Sequence, residues 1–177
     1  MITASFEVTR EDAFALGWHY YATAGFLRKG IRTTRLAFAS MFGAFGLIAL
    51  SSGSRFFEFG IVSIILGVVF VALSSPIYKE SLKKSIGKVI DEPSYQKSLG
   101  KCSLTLDDNG LQSSSPMGES RFKWDAVSRV ALTADHLMIL LSGAQGYPIR
   151  RSQVNDATIQ EIKTFVESHI KTSDQKP

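Results

Sequence analysis

The chain of 177 residues is long enough for one ordinary domain, or for a membrane hairpin joined to one small domain. Its single cysteine, Cys102, excludes an intramolecular disulfide framework, and no metal-ligand spacing surrounds it. The whole net charge of +4 lies in residues 1–100, because residues 101–177 contain nine basic and nine acidic side chains. A C-terminal region without excess charge argues against nucleic-acid binding, which needs a basic face on a folded domain.

Residues 1–30 are predicted to form a strand followed by a helix. Apolar and polar residues alternate from Ile2 to Val8, which is typical of a half-buried strand. Thr9 is a suitable helix cap because acidic residues follow it in the first turn. The helix is expected to end at one of two glycines, Gly25 or Gly30. The pattern leaves open whether the strand joins the C-terminal sheet.

This predicted helix contains the densest aromatic cluster of the chain, Trp18-His19-Tyr20-Tyr21. We interpret the cluster as an aromatic belt just outside a bilayer, or as packing against the cytosolic domain. A lipid or quinone contact and a histidine switch are the alternative interpretations.

Two apolar stretches, Leu36–Ser54 and Phe59–Tyr78, contain no Asp, Glu, Lys, Arg or His. At about 1.5 Å of rise per helical residue they span roughly 28 and 30 Å, which matches a hydrocarbon core of about 30 Å. Residues 31–78 are therefore predicted to form a transmembrane helical hairpin with the connector Arg55–Glu58. A soluble protein with two buried helices would need a larger core than the rest of the chain offers. Small residues recur at intervals that allow close helix packing in lipid: Ala39 and Gly43, Ser40 and Ala44, Ser63 and Gly67.

Basic residues flank both apolar stretches. They are predicted to bind anionic lipid headgroups and to keep both termini in the cytoplasm. Ionisable groups inside a membrane are the usual mark of transport, so their absence from these stretches argues against a self-sufficient transporter. The flanking residues are Arg28, Lys29, Arg32 and Arg35 before the first stretch, and Lys79, Lys83, Lys84 and Lys88 after the second.

Residues 79–95 are predicted to be a basic amphipathic linker. Its apolar residues follow helical spacing and its polar face carries lysines, which suits a helix on a membrane surface. Asp91-Glu92-Pro93 is expected to end this helix, because a proline disfavours helical geometry in the residue before it.

Residues 96–172 are predicted to form a small antiparallel β domain closed by a helix. Six short strands are expected between Cys102 and Arg150, with Asp108-Asn109-Gly110 as the first turn, a third strand over Glu119–Trp124 and a loop over Ser142–Gly146. The fifth strand is nearly continuous in apolar residues, which indicates burial on both faces. Asn155 caps the final helix. We expect an open barrel or one bent sheet, with this helix at its mouth.

The chain resembles the YcxB-like family of uncharacterised bacterial membrane proteins in the order of its motifs around two adjacent spans. The resemblance implies a C-terminal domain similar to bacterial pleckstrin-homology-like folds, and it implies no substrate or catalytic residue. Phosphoinositide-binding relatives of that fold use a basic first hairpin loop, whereas residues 107–110 here are acidic. The motifs are Phe6-Glu-Val-Thr-Arg-Glu-Asp12, Leu104-Thr-Leu-Asp-Asp-Asn-Gly-Leu111, Lys123-Trp-Asp-Ala-Val127, Leu137-Met-Ile-Leu140 and Tyr147-Pro-Ile-Arg-Arg151.

These features favour a membrane-anchored, non-catalytic interaction module in the bacterial plasma membrane. Its partner is expected to be another protein or a second copy of the chain, with no cofactor and no metal. Trp124, Arg150 and Arg151 are the predicted contact residues, because aromatic and arginine side chains dominate binding hot spots. Core packing is the alternative for Trp124. Two other functions remain open: an auxiliary subunit of a transporter or secretion complex, and a membrane-bound enzyme using His19, His136, Asp125 or Asp135.

Overall fold

The computed structural model describes residues 1–23, 25–53, 56–142 and 145–173. The chain packs as two units, one formed by Met1–Tyr20 with Ile86–Pro177 and the other by Tyr21–Ser85. The elements in chain order are β1 (Ile2–Val8), α1 (Arg10–Thr23), α2 (Phe26–Ser51), α3 (Phe57–Ile90), α4 (Pro93–Gln96), β2 (Gly100–Asp107), β3 (Gly110–Ser115), β4 (Gly118–Phe122), β5 (Val127–Leu132), β6 (His136–Leu141), β7 (Gly146–Arg150) and α5 (Asp156–Ser173). Four residues of these predicted segments lie outside the described residues: Ser54 at the end of the first apolar stretch, Arg55 of the connector, and Gly143 and Ala144 of the loop.

The first unit is an α+β structure, and it shows whether the N-terminal strand pairs with the C-terminal strands. Its first sheet has the antiparallel order β1-β2-β3-β4, so the N-terminal strand does join the C-terminal strands. The register places Ala4 opposite Leu104 and Phe6 opposite Cys102. Because every second residue of β1 is apolar and buried, pairing with β2 directs one face of the strand into the core.

The remaining three strands form a second antiparallel sheet of order β5-β6-β7. The expectation of one bent sheet is therefore wrong, because the six C-terminal strands divide between two sheets. The expected extent of the third strand is also wrong, since β4 ends at Phe122 and Trp124–Ala126 forms a 3-10 turn. The Trp124 indole is buried in this turn, and its Nε1–H donates to the Asp107 carbonyl at 3.1 Å. The chain passes from the first sheet to the second through this turn.

One apolar core joins both sheets to α5. Leu104 and Leu111 come from the first sheet, Leu137 and Ile149 from the second, and all are almost fully buried. The stripe of α5 completes the core with Ile159, Ile162 and Val166, and Asn155 caps the helix by accepting from the Ala157 N–H at 3.0 Å. The cap at Asn155 is the one that the sequence predicts.

Strand β6 is buried on both faces, as its sequence predicts. Leu137 and Ile139 lie in the core that both sheets share with α5. Met138 and Leu140 point to the other side and pack against Leu16 of α1. A strand covered on both sides needs apolar residues at successive positions, which explains the uninterrupted run.

The second unit contains α2 and most of α3, which are the two helices of the described residues that are long and apolar enough to cross a membrane. Only 11% of the most apolar window of α2 and 22% of that of α3 are buried. The two helices pack through stacked rings, since Phe70 lies 5.2 Å from Phe38 and 5.4 Å from Phe42. Ser63 donates to the Phe42 carbonyl at 3.2 Å, and a Cβ at Gly67 would lie 2.8 Å from the Cβ of Phe42.

One detail of the hairpin differs from the sequence prediction. The amphipathic segment after residue 78 is not a separate helix, because α3 continues without interruption to Ile90, where the predicted stop at Asp91–Pro93 does end it. The basic residues before the first apolar stretch are also helical, since α2 begins at Phe26 directly after Gly25. Gly25 adopts a left-handed φ of 71°, which glycine tolerates and which separates α1 from α2.

Candidate functional site

The N-terminus of α1 places a carboxylate inside the α+β unit. The Thr9 backbone N–H donates to Asp12 Oδ2 at 2.9 Å, and the Thr9 hydroxyl donates to the same oxygen at 2.9 Å. The Asp12 N–H returns a long bond of 3.4 Å to Thr9 Oγ1. This reciprocal arrangement is a capping box, with Asp in the position that Glu or Gln more often occupies. These bonds within one helical turn orient the Asp12 side chain without a contribution from residues distant in sequence.

Two side chains from the second sheet meet the same carboxylate. His136 Nε2 lies 2.7 Å from Asp12 Oδ1, and Arg150 donates to this oxygen through Nε at 2.9 Å. Arg150 also donates from Nη2 to Thr9 Oγ1 at 3.1 Å. The Asp12 side chain has no exposed surface, whereas the side chains of His136 and Arg150 are 12% and 35% exposed. The network therefore ties α1 to β6 and β7.

The network keeps Asp12 ionised. Burial raises the pKa of Asp12, but hydrogen bonds from the Thr9 backbone, His136, the Thr9 hydroxyl and Arg150 outweigh that effect and hold the pKa below its ordinary value. An ionised carboxylate only accepts hydrogen bonds, so His136 donates to it from Nε2. The orientation of the imidazole is thereby set by Asp12.

A surface cavity of about 580 Å³ lies beside this network. The β5–β6 turn forms one wall, and it is closed by a 3.0 Å bond from the His136 N–H to Thr133 Oγ1. The end of β7 and the start of α5 form the other wall. The lining is of mixed charge and comprises Ala134, Asp135, His136, Arg150, Arg151, Ser152 and Asp156.

Arg151 holds the two walls of this cavity together. Its Nη1 donates to the Ala134 carbonyl at 3.2 Å, and its Nη2 donates to Asp156 Oδ1 at 2.9 Å. Its Nε is buried and has no hydrogen-bond partner among the described residues. A cavity of this size with fixed cations and carboxylates can hold a polar or charged side chain of a partner.

Another cluster of polar and aromatic side chains lies where α5 meets the first hairpin. His169 stacks on Trp124 with ring centroids 4.8 Å apart, and it packs at a tilt against Phe165 with centroids 4.4 Å apart. The acidic side chains of the turn contact basic residues of the same unit. Asp107 pairs with Arg121 at 3.0 Å, and Asp108 lies 3.9 Å from His169. This cluster attaches the end of α5 to the β2–β3 turn.

The structure brings together some predicted site residues and separates others. Arg150 and Arg151 both line the cavity, whereas Trp124 lies in the core, as the packing alternative has it. Their role in protein contact stays a prediction. Of the enzyme candidates, Asp135 and His136 share the cavity, whereas Asp125 is exposed in the 3-10 turn.

Two further titratable groups lie outside the cavity. Burial and repulsion by Arg129 lower the pKa of His19 in α1. Burial raises the pKa of the Cys102 thiol, which keeps it protonated in the core. Within the described ranges, no three His, Cys, Asp or Glu side chains are arranged to hold a metal ion.

The basic residues beside the apolar stretches also divide into two groups. In the second unit, Tyr21–Ser85, which we call the hairpin unit, one cavity is lined by Arg28, Arg32, Arg35 and Lys79. The other four cations, Lys29, Lys83, Lys84 and Lys88, do not line it.

Sequence reasoning missed Asp12 as the centre of the network. It placed the residue in a first helical turn, where an acidic side chain needs no further explanation. The Thr9–Asp12 spacing was the available local signal, because it predicts a capping box that turns the carboxylate back toward the helix start. No local pattern predicts partners that lie 124 and 138 residues away.

The fold and the cavity define an α+β unit joined to two helices that can cross a membrane. Residues 106–166 match the family model described as YcxB-like protein, which confirms the family resemblance drawn from the motifs. The match extends from the end of β2 into α5, so it contains His136, Arg150 and Arg151 but neither Asp12 nor the two long helices. No curated protein matches the chain significantly.

Proposed function

We propose that this chain is a membrane-anchored, non-catalytic interaction module of a bacterial plasma membrane. In this proposal the α2–α3 hairpin is the anchor, and the α+β unit presents a binding surface to the cytosol. The observation that carries the proposal is the exposure of large apolar side chains along both long helices of a chain that also contains a separately packed α+β unit. In water such a surface is unfavourable, whereas in lipid it is solvated.

The distribution of charge supports the proposed orientation. Arg28, Lys29, Arg32 and Arg35 lie at the start of α2, and the lysines of α3 lie after its apolar part. Both groups belong to the same end of a two-helix hairpin, so the positive-inside rule places this end in the cytoplasm. In this proposal the α+β unit, whose two chain segments precede and follow the hairpin, is cytosolic.

We propose the cavity beside the Asp12 network as the contact surface. It contains two of the three residues predicted for contact, Arg150 and Arg151, and its cations are fixed in place by Asp12 and Asp156. Arginine side chains that are already immobilised lose little entropy when a partner binds. The expected partner is a protein segment, from another protein or from a second copy, that carries polar and charged groups.

A photo-crosslinking residue at Ser152 tests this proposal in cells. Ser152 is exposed and lines the cavity, so a crosslink there to a defined protein, or to a second copy, is the expected result. The matched control is the same residue at Ser120, which is exposed on β4 away from the cavity. Equal crosslinking from both positions, or none from Ser152, would contradict the proposed surface. A stoichiometric partner with several spans would favour the auxiliary-subunit alternative.

A further inference from the structure

The hairpin unit contains a basic cavity of about 610 Å³ between its two helices. Four cations line it together with a hydroxyl and a few apolar side chains. The cationic part consists of Arg28, Arg32, Arg35 and Lys79, and the rest includes Ile31, Leu36 and Ser75.

Helical spacing explains why these cations converge. Arg28, Arg32 and Arg35 stand at positions i, i+4 and i+7, which share one face of α2. Ser75 and Lys79 stand four apart on α3 and share a face in the same way. The Tyr78 side chain of α3 reaches α2 at this level, because a Cβ at Gly30 would collide with the Tyr78 hydroxyl. The two faces therefore line one space.

One of the four cations is fixed in position. Arg35 donates from Nε to Ser74 Oγ at 3.2 Å and from Nη2 to Ser75 Oγ at 2.8 Å. Hydroxyl groups orient a guanidinium without neutralising it. Among the residues that the structure describes, no carboxylate forms an ion pair with any of the four cations. The cavity thus concentrates positive charge that the hairpin itself does not compensate.

The position of the cavity limits what can occupy it. Arg35 immediately precedes the first apolar stretch, and Ser75 lies four residues before Lys79 at the end of the second stretch. In a bilayer this level is the headgroup region, where a lipid phosphate meets the start of the hydrocarbon. The cations match the phosphate, and Ile31 and Leu36 match the apolar part of a lipid.

We propose that this cavity is a discrete binding site for the phosphate group of an anionic phospholipid. The proposal rests on the proposed membrane anchoring and goes beyond it. A general attraction of basic flanks to anionic membranes depends on how many cations there are, whereas a site depends on which cations they are. Arginine and lysine donors on a phosphate oxygen form charge-assisted hydrogen bonds that a diffuse attraction lacks.

The test uses the full chain in phosphatidylcholine vesicles that contain trace spin-labelled phosphatidylglycerol or spin-labelled phosphatidylcholine. The fraction of motionally restricted label gives the relative affinity of each lipid. The pocket variant combines Arg32→Gln with Lys79→Gln, and both side chains are exposed. The matched control combines Lys29→Gln with Lys84→Gln, which removes the same charge from the same helices at exposed positions outside the cavity.

We expect the wild-type chain and the control pair to prefer phosphatidylglycerol over phosphatidylcholine. In the pocket pair, the affinity for phosphatidylglycerol relative to phosphatidylcholine should be roughly tenfold lower than in the control pair. The reason is that the pocket pair removes hydrogen-bonded contacts as well as charge. Equal losses in the two pairs would overturn the site and leave the anchor in place.

Two further arms identify the source of the phosphate and separate this inference from the proposed function. Added glycerol 3-phosphate should not displace the labelled phosphatidylglycerol, and displacement would assign the cavity to a soluble phosphate compound and overturn the lipid site. If the wild-type chain does not remain with the vesicles on flotation, the membrane proposal fails, and the lipid site fails with it.

Discussion

The α+β unit and the hairpin unit use the same apolar residue types in opposite ways. In α5 the side chains of Ile159 and Ile162 have no exposed surface, whereas in α3 Ile65 is 56% and Val68 is 66% exposed. Each unit is consistent with a different solvent. Burial inside the α+β unit stabilises it in water at roughly 25 cal/mol per Å² of apolar surface, and the hairpin leaves the same kind of surface outside.

The two units also differ in the polar groups that they bury. The α+β unit buries a carboxylate, Asp12, and satisfies it with donors from Thr9, His136 and Arg150. Among the described residues of the hairpin unit, the buried polar side chains are the hydroxyls of Ser63 and Ser74, and both donate to backbone carbonyls. A buried hydroxyl needs only one nearby carbonyl as a hydrogen-bond acceptor, whereas a buried charge needs several hydrogen-bond partners. The comparison teaches that a buried carboxylate requires several donors from different elements, whereas each buried hydroxyl of the hairpin needs one backbone carbonyl.

The largest expected effect is on the shared core of the α+β unit. Ile162→Ala should lower the free energy of unfolding by about 3 kcal/mol, because it leaves a cavity at a fully buried position. The measurement is urea unfolding of the full chain in mild detergent, followed by tryptophan fluorescence. Ile65→Ala is the matched control on α3 and should leave this transition unchanged. A comparable loss from both substitutions would remove the distinction between the units.

The next effect concerns the outer surface of α3. Val68→Lys should reduce membrane insertion by about 3 kcal/mol if this residue faces lipid at mid-span. On the surface of a protein in water the same change costs within about 0.5 kcal/mol. The retained fraction after alkaline extraction of membranes measures the difference. Val89→Lys is the control, since Val89 is 53% exposed on the same helix but beyond the predicted span. Equal retention of both variants would contradict a lipid-facing α3.

A smaller effect is expected from the buried carboxylate. Asp12→Asn should cost about 2 kcal/mol at neutral pH, because it weakens hydrogen bonds to a charged group. The folded state lowers the pKa of Asp12 below its ordinary value of 3.8, so this stabilisation is present above that value and is lost as the pH falls through the folded pKa.

Unfolding free energies measured from pH 7 down to pH 3 check both parts of this prediction. The Asn variant should show a smaller loss on acidification than the wild type. Asp125→Asn, at an exposed position of the same unit, should behave like the wild type. If Asp12→Asn keeps the full pH dependence of the wild type, Asp12 is not the group that titrates.

The smallest effect concerns the 3-10 turn between the sheets. Trp124→Phe keeps an aromatic ring in the core but removes the Nε1–H that donates to the Asp107 carbonyl. The expected loss is about 1 kcal/mol of unfolding free energy, the usual net contribution of one such hydrogen bond. An unchanged midpoint of urea unfolding would show that the bond does not stabilise the turn.

Much of the secondary structure was predictable from local sequence patterns. The alternation in β1, the apolar run of β6, the cap at Asn155 and the stop after Ile90 each follow from a few neighbouring residues. The division into two sheets was not readable, because it depends on burying Trp124 against α5 and the Asp107 carbonyl. Strand patterns give the elements but not the partners of each strand.

The candidate sites were less predictable than the elements. Arg150 and Arg151 were chosen for residue type alone, and the structure gives them different partners, Asp12 and Asp156. The basic residues of the hairpin were predicted as a group. Only the packing of α2 on α3 separates Arg32 and Lys79, which line a cavity, from Lys29 and Lys84, which do not. Such groupings depend on tertiary contacts between elements distant in sequence.

Cysteine accessibility in intact cells tests the central claim most directly. The background is Cys102→Ala, which removes the only native thiol, and single cysteines are placed at Ser5, Ser52 and Gln160, all of them exposed. A membrane anchor with cytosolic termini predicts that a membrane-impermeant maleimide labels only the cysteine at Ser52, after the first span. Labelling at Ser5 or Gln160 in intact cells, or recovery of the chain in the soluble fraction, would contradict it.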